Sequence, residues 1–156
     1  MVPVRRIILL VFCYFLLLPS NKVTGDSALF HEPTPISSMQ AMYHHERGDT
    51  PLRVSSTMRQ EVGKVLSEVY QLSGLNSLQL PASYYHIHFP TPVVLSLFSP
   101  VRHPIDEIII TLPRNAWDEH HLLIKNQQNQ WIEYKTHRTL GIFVNQLTAW
   151  NAMQPR

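Results

Sequence analysis

Between residues 54 and 73 apolar side chains return every three or four positions. Met58, Val62, Val65, Val69 and Leu72 fall on one helical face, while Arg59, Glu61, Lys64 and Glu68 lie off it. The spacing predicts an amphipathic helix over 54–73. Thr57 followed by Gln60 suits a capping box, Ser55 and Ser56 are rival caps, and Gly74 is a natural left-handed terminator. Beyond Pro81 the period drops to two. Tyr85, Ile87 and Phe89 then share one face of a strand over 84–89, and Tyr84, His86 and His88 the other. Pro90 and Pro92 bend the chain there or mark an edge.

Three further apolar stretches read as strands. One covers 93–98 and ends at Ser99-Pro100. The next, 107–112, is centred on Ile108-Ile109-Ile110 and is expected to be the most buried. The stretches 121–125 and 130–135 flank Asn126-Gln127-Gln128-Asn129, a four-residue hairpin loop. A helix over 139–150 closes the pattern, with Leu140, Phe143, Val144, Leu147 and Trp150 on one side. Connections this short favour antiparallel neighbours, because parallel crossovers need about a dozen residues. The expected fold class is α+β and two-layered. It has an N-terminal helix, about five short, mainly antiparallel strands, and a C-terminal helix on one sheet face.

The beginning of the chain follows another rule. Residues 7–18 are an unbroken apolar run of twelve behind Arg5 and Arg6, stopped by Pro19. As a helix the run spans about 18 Å, short of the roughly 30 Å hydrocarbon core. A cleaved signal peptide over 1–25 is therefore expected, with Val23-Thr24-Gly25 placing the cut before Asp26. An uncleaved anchor is the alternative. Residues 26–52, interrupted by Pro33, Pro35 and Pro51, read as a flexible arm, with a helix of one or two turns near Met39–Tyr43. That leaves 53–151 as the single domain and 152–156 as a tail.

Cleavage changes the electrostatics. Losing Arg5, Arg6 and Lys22 from 13 basic residues leaves ten against 11 acidic ones, so the formal charge moves from +2 to −1. No basic stripe remains for a phosphate backbone, and nucleic acid is excluded as a partner. Cys13, the only cysteine, leaves as well, which excludes disulfide and thiol chemistry from the mature chain. An exported domain of this size without disulfides fits a bacterial periplasm or surface.

Histidine is the unusual component. There are nine, clustered as His44-His45, His86-x-His88 and His120-His121. Two residues apart on a strand, His86 and His88 project from one face about 7 Å apart, so they are candidate zinc or copper ligands with His120 as a third. The same spacing arises in any amphipathic strand with a polar outer face. Tyr84, Trp131 and Tyr134 are candidate interface aromatics. There is no Gly-x-Ser-x-Gly elbow, no glycine-rich phosphate loop and no His-Glu-x-x-His, and no catalytic residue is assigned.

The sequence thus reads as a small exported binding or accessory protein of the bacterial envelope, non-catalytic and without cofactor. Its expected partner is an envelope or secretion-system protein, and it meets the membrane only through the signal or an uncleaved anchor. One alternative is a periplasmic His-dependent zinc- or copper-binding protein. A second is a small envelope hydrolase, which requires a pocket holding a histidine with a carboxylate within hydrogen-bond reach.

Overall fold

The structure is a computed structural model, described here for residues 35–74, 80–113, 115 and 118–152. The expected signal peptide, Cys13 and residues 26–34 of the expected arm lie outside the described residues.

The described chain opens with a hairpin. β1 (Gln40–His45) pairs antiparallel with β2 (Gly48–Leu52). Gly48 follows the turn at φ 126°, a conformation that favours glycine. Helix α1 (Ser56–Ser67) comes next, then β3 (Val69–Gly74). Four strands follow: β4 (Tyr84–Val93), β5 (Ile105–Thr111), β6 (Leu122–Lys125) and β7 (Trp131–Thr136). Helix α2 (Leu140–Ala152) ends the described fold. The strands form one sheet in the order β2-β1-β4-β5-β6-β7-β3, with every pairing antiparallel. The α+β class therefore holds, with seven strands where about five were expected.

Among the described residues a strand hairpin, not a helix, comes first. Gln40–Leu52, expected as flexible arm and short helix, is instead the hairpin that seats β1 beside β4. Met39 and Ala41 are buried at strand spacing. Pro51 is tolerated in β2 because an edge strand has a free hydrogen-bonding side. Helix α1 forms where the apolar face predicted it but stops at Ser67. Ser55 is its cap, accepting from the Met58 amide at 3.1 Å, and Glu68 closes it with bonds to the Leu66 and Lys64 carbonyls. Val69 and Leu72 fit a helical face equally well, but β7 offers this segment a ladder and the strand wins.

The expected strand over 93–98 does not form. Pro90 and Pro92 have no amide to donate, so the β4–β5 ladder shifts register between His88 and Val93, and residues 94–104 become a connecting loop. A hairpin does turn here, but β6 and β7 are joined by residues 126–130 where a four-residue loop at 126–129 was expected, and Asn126 N donates to the Gln130 carbonyl at 2.9 Å. Asn126 Oδ1 accepts from the Gln128 and Gln130 amides at 3.0 and 2.8 Å, and Asn129 takes φ 66°.

Both helices lie on one face. Met58, Val62, Val65 and Leu66 of α1 and Phe143, Val144 and Leu147 of α2 share a core with Tyr85, Ile87, Phe89, Ile108, Ile110, Leu122 and Ile124. Tyr85 donates its hydroxyl to Thr148 Oγ1 at 2.9 Å, and Thr148 donates to the Val144 carbonyl, which fastens β4 to α2. Each sheet edge is protected. β2 carries Asp49 and Pro51, and β3 carries two register shifts in its pairing with β7.

Candidate functional site

The face without helices is read directly from the register. Met42, His86, Ile109, Leu123 and Glu133 form one row across β1, β4, β5, β6 and β7. His88 and Glu107 share a second row, and Lys125 and Trp131 are paired. Three imidazole–carboxylate bridges lie on this face. His44 Nδ1 meets Asp49 at 2.6 Å, His86 Nε2 meets Glu107 at 3.0 Å, and His121 Nδ1 meets Glu133 at 2.8 Å. Each joins two neighbouring strands or their immediate extensions: β1 to β2, β4 to β5, and the entry of β6 to β7. Lys125 adds a bond to the other Glu107 oxygen at 3.1 Å and stands 5.6 Å from the Trp131 ring. His44 stacks on Tyr84, and His86 meets Trp131 edge-on.

This network explains the apolar pair beneath it. Ile109 and Leu123 point away from the helices yet are 2% and 0% exposed. They are flanked by longer polar side chains that bond to one another and lean over them. Glu107 titrates below the usual glutamate range. Partial burial pushes it up, but bonds from Lys125 and His86 and their charges outweigh that. Tyr84 is pushed up by burial and by the negative charge of Asp49.

The residues singled out by sequence are dispersed. His86 and His88 share the open face of β4 as expected, but His86 Nε2 is taken by Glu107. His120 lies past the end of β5, where its Nδ1 donates to the Thr111 carbonyl at 2.9 Å. Among the described residues no three His, Cys, Asp or Glu side chains converge as a metal-binding group. Tyr84 and Trp131 are on the open face. Tyr134 is not: it faces the helices at 6% exposed, and burial raises its hydroxyl.

A cleft of about 520 Å³ opens where β5 ends, between residues 119–121, the end of β7 and the start of α2. It is lined by His120, His121, Glu133, Lys135 and Tyr70, so a histidine does sit within hydrogen-bond reach of a carboxylate in a concave site. The same pair recurs outside the cleft at His44–Asp49 and His86–Glu107, each time bridging strands.

At the opposite end of β5 the 94–104 loop presents what the sequence reading missed. Phe98 is 87% exposed and Leu97 46% exposed. The loop beneath them is fastened. Leu95, Ser99 and Val101 are buried, Ser99 N donates to the Ser96 carbonyl at 2.9 Å, and Val101 N donates to Ser99 Oγ at 3.2 Å. Arg102 donates from its guanidinium to the Leu97 carbonyl. The only signal in the sequence was the pair of serines bracketing Leu97-Phe98 just before Pro100.

No protein-family model, no curated protein and no solved structure matches the chain.

Proposed function

We propose that this is an exported accessory protein of the bacterial envelope that works by docking on another protein, with Leu97 and Phe98 as the anchor. One observation carries the reading: a large aromatic side chain held almost fully in water at the tip of a turn that is itself tied down. The backbone of the turn is already tied down in the free protein, so burying Phe98 in a partner costs little further backbone entropy, and such preorganisation helps interface hot spots gain affinity. The open sheet face is a poorer anchor, because its charged groups already bond to each other. Export rests on the apolar run behind Arg5 and Arg6.

The cleft supplies one ingredient of the hydrolase reading, a histidine oriented by a carboxylate. The recurrence of that pair as a strand bridge removes its force. The zinc or copper reading keeps only the shared strand face of His86 and His88.

The test is site-specific photocrosslinking in cells that export the full chain. A photoreactive phenylalanine analogue at Leu97 is expected to give one discrete protein adduct. The same analogue at Asn145, exposed on α2, is expected to give none. A monodisperse monomer with no adduct from position 97 sinks the reading.

A further inference from the structure

We infer that the cleft at the start of α2 binds a neutral, hydroxyl-rich ligand, a saccharide, with His121 Nε2 accepting from one of its hydroxyls. The inference goes beyond the docking reading and is independent of it, since the cleft and the Leu97–Phe98 turn lie at opposite ends of β5.

Of the three imidazole–carboxylate pairs, only one keeps Nε2, the outer ring nitrogen, open. His44 uses Nδ1 on Asp49, and its Nε2 is buried without a partner. His86 has its Nε2 on Glu107. His121 uses Nδ1 on Glu133 at 2.8 Å, its side chain is 41% exposed, and it lines the cleft. Donation from Nδ1 to a carboxylate fixes the tautomer of the neutral ring, so Nε2 carries the lone pair. Among the described residues that nitrogen has no hydrogen-bond partner. His120, in the same cleft, is set the same way, with Nδ1 donating to the Thr111 carbonyl at 2.9 Å. The ligand that matches two oriented acceptors is one that brings donors.

The charge around the cleft favours a neutral ligand. Lys135 and Arg138 are matched by Glu119 and Glu133, and Arg138 is already paired with Glu61 and Glu68. With cations and carboxylates equal in number, neither a phosphate nor an ammonium gains a net attraction. A wholly apolar ligand fits no better, because it leaves the imidazole acceptors unpaired. Tyr70 adds the flat apolar surface. Its ring stacks on His137, centroids 4.1 Å apart and planes at 15°, which holds it in place while the residue stays 46% exposed. A sugar ring has hydroxyls around its edge and C–H groups on its faces. The C–H face suits the negative face of an aromatic ring, and the edge hydroxyls suit the imidazoles. At about 520 Å³ the cleft is in the ordinary size range of a small-molecule site.

The experiment is isothermal titration of the protein, recovered from cells that export the full chain. The probes are cellotetraose, maltotetraose and the N-acetylglucosamine tetramer, with inorganic phosphate as the ionic probe. At least one of the three saccharides is expected to bind, and phosphate is not. Raising salt from about 50 to about 300 mM should change that affinity by less than about twofold, because no charge is recognised. His121→Phe keeps a flat ring without the acceptor and is expected to weaken binding by about tenfold or more. Tyr70→Ala is expected to weaken it about fivefold. His86→Phe breaks the same kind of bridge outside the cleft, so it controls for damage to the sheet, and its affinity should equal that of wild type. Nitrogen-15 spectra should show His121 protonated at Nδ1 in the free protein and its Nε2 signal moving when the saccharide is added. No heat from any of the three saccharides overturns the inference, and so does binding of phosphate in their place. Equal losses from His121→Phe and His86→Phe overturn it as well, because the effect is then on the sheet and not on the cleft.

Discussion

The two faces of the sheet bury their centres by different means. On one, Ile87, Ile108, Ile110, Leu122 and Ile124 meet the apolar sides of α1 and α2. That contact is non-directional and depends on area and fit. On the other, Ile109 and Leu123 lie under a cover of bridged polar side chains. That cover is directional, partly solvated, and open to pH and salt. Equal burial therefore does not mean equal mechanical support, and mutations on the two faces can tell the mechanisms apart.

The largest effect is expected on the helix face. Phe89 is fully buried in the common core. Phe89→Ala should cost about 4 kcal/mol, because helices and sheet both resist collapse around the void. Chemical denaturation should show the midpoint falling without a change in slope. Leu123→Ala removes a side chain just as buried, from the other face. Its cover is tied at its tips and can settle, so the cost should be nearer to about 2 kcal/mol. If Leu123→Ala proves as costly as Phe89→Ala, the polar cover is as rigid as the helices and the distinction fails.

The same contrast explains what the sequence made legible. Alternation placed Tyr85, Ile87 and Phe89 inward and Tyr84, His86 and His88 outward, and the register agrees. The 139–150 helix and the hairpin turning at Asn126 were equally plain, because each was signalled by residues next to one another. Trp131 and Tyr134 are three apart, so in a strand they cannot share a face, and period two alone argues against grouping them. Other features depended on partners far away in the chain. Val69 and Leu72 suit helix or strand until β7 is present. Gln40–Leu52 becomes ordered only by pairing with β4. The run Val93-Val94-Leu95-Ser96-Leu97-Phe98 has the composition of a buried strand, and only the missing ladder turns its end outward.

Glu107 tests the polar cover itself. Glu107→Gln weakens its bonds to Lys125 and His86 while keeping the shape. With Glu107 partly exposed, the loss should be about 1 kcal/mol at neutral pH. The pH dependence has a definite sign. The folded-state value of Glu107 is depressed, so its contribution is complete above the ordinary glutamate range and is lost as pH falls below that range through the lower folded value. Thermal melts of wild type and Glu107→Gln from neutral to acidic pH should therefore converge at the acid end. Parallel curves would show that the carboxylate charge gives the fold nothing.

The smallest expected effect is at the margin of the cover, where His44 bridges to Asp49 on the edge strand. Asp49 is half exposed, and an amide can still accept from His44 Nδ1, so Asp49→Asn should change stability by under about 0.5 kcal/mol. Its signature should instead be spectroscopic. Tyr84 lies under His44, and its hydroxyl is raised first by burial and second by the charge of Asp49. Removing that charge leaves the burial in place. In an ultraviolet titration Tyr84 should ionise at lower pH than in wild type while staying above the ordinary tyrosine value. A return all the way to that value would mean that the charge alone sets it, and that the stacked cover over Tyr84 does not exclude water.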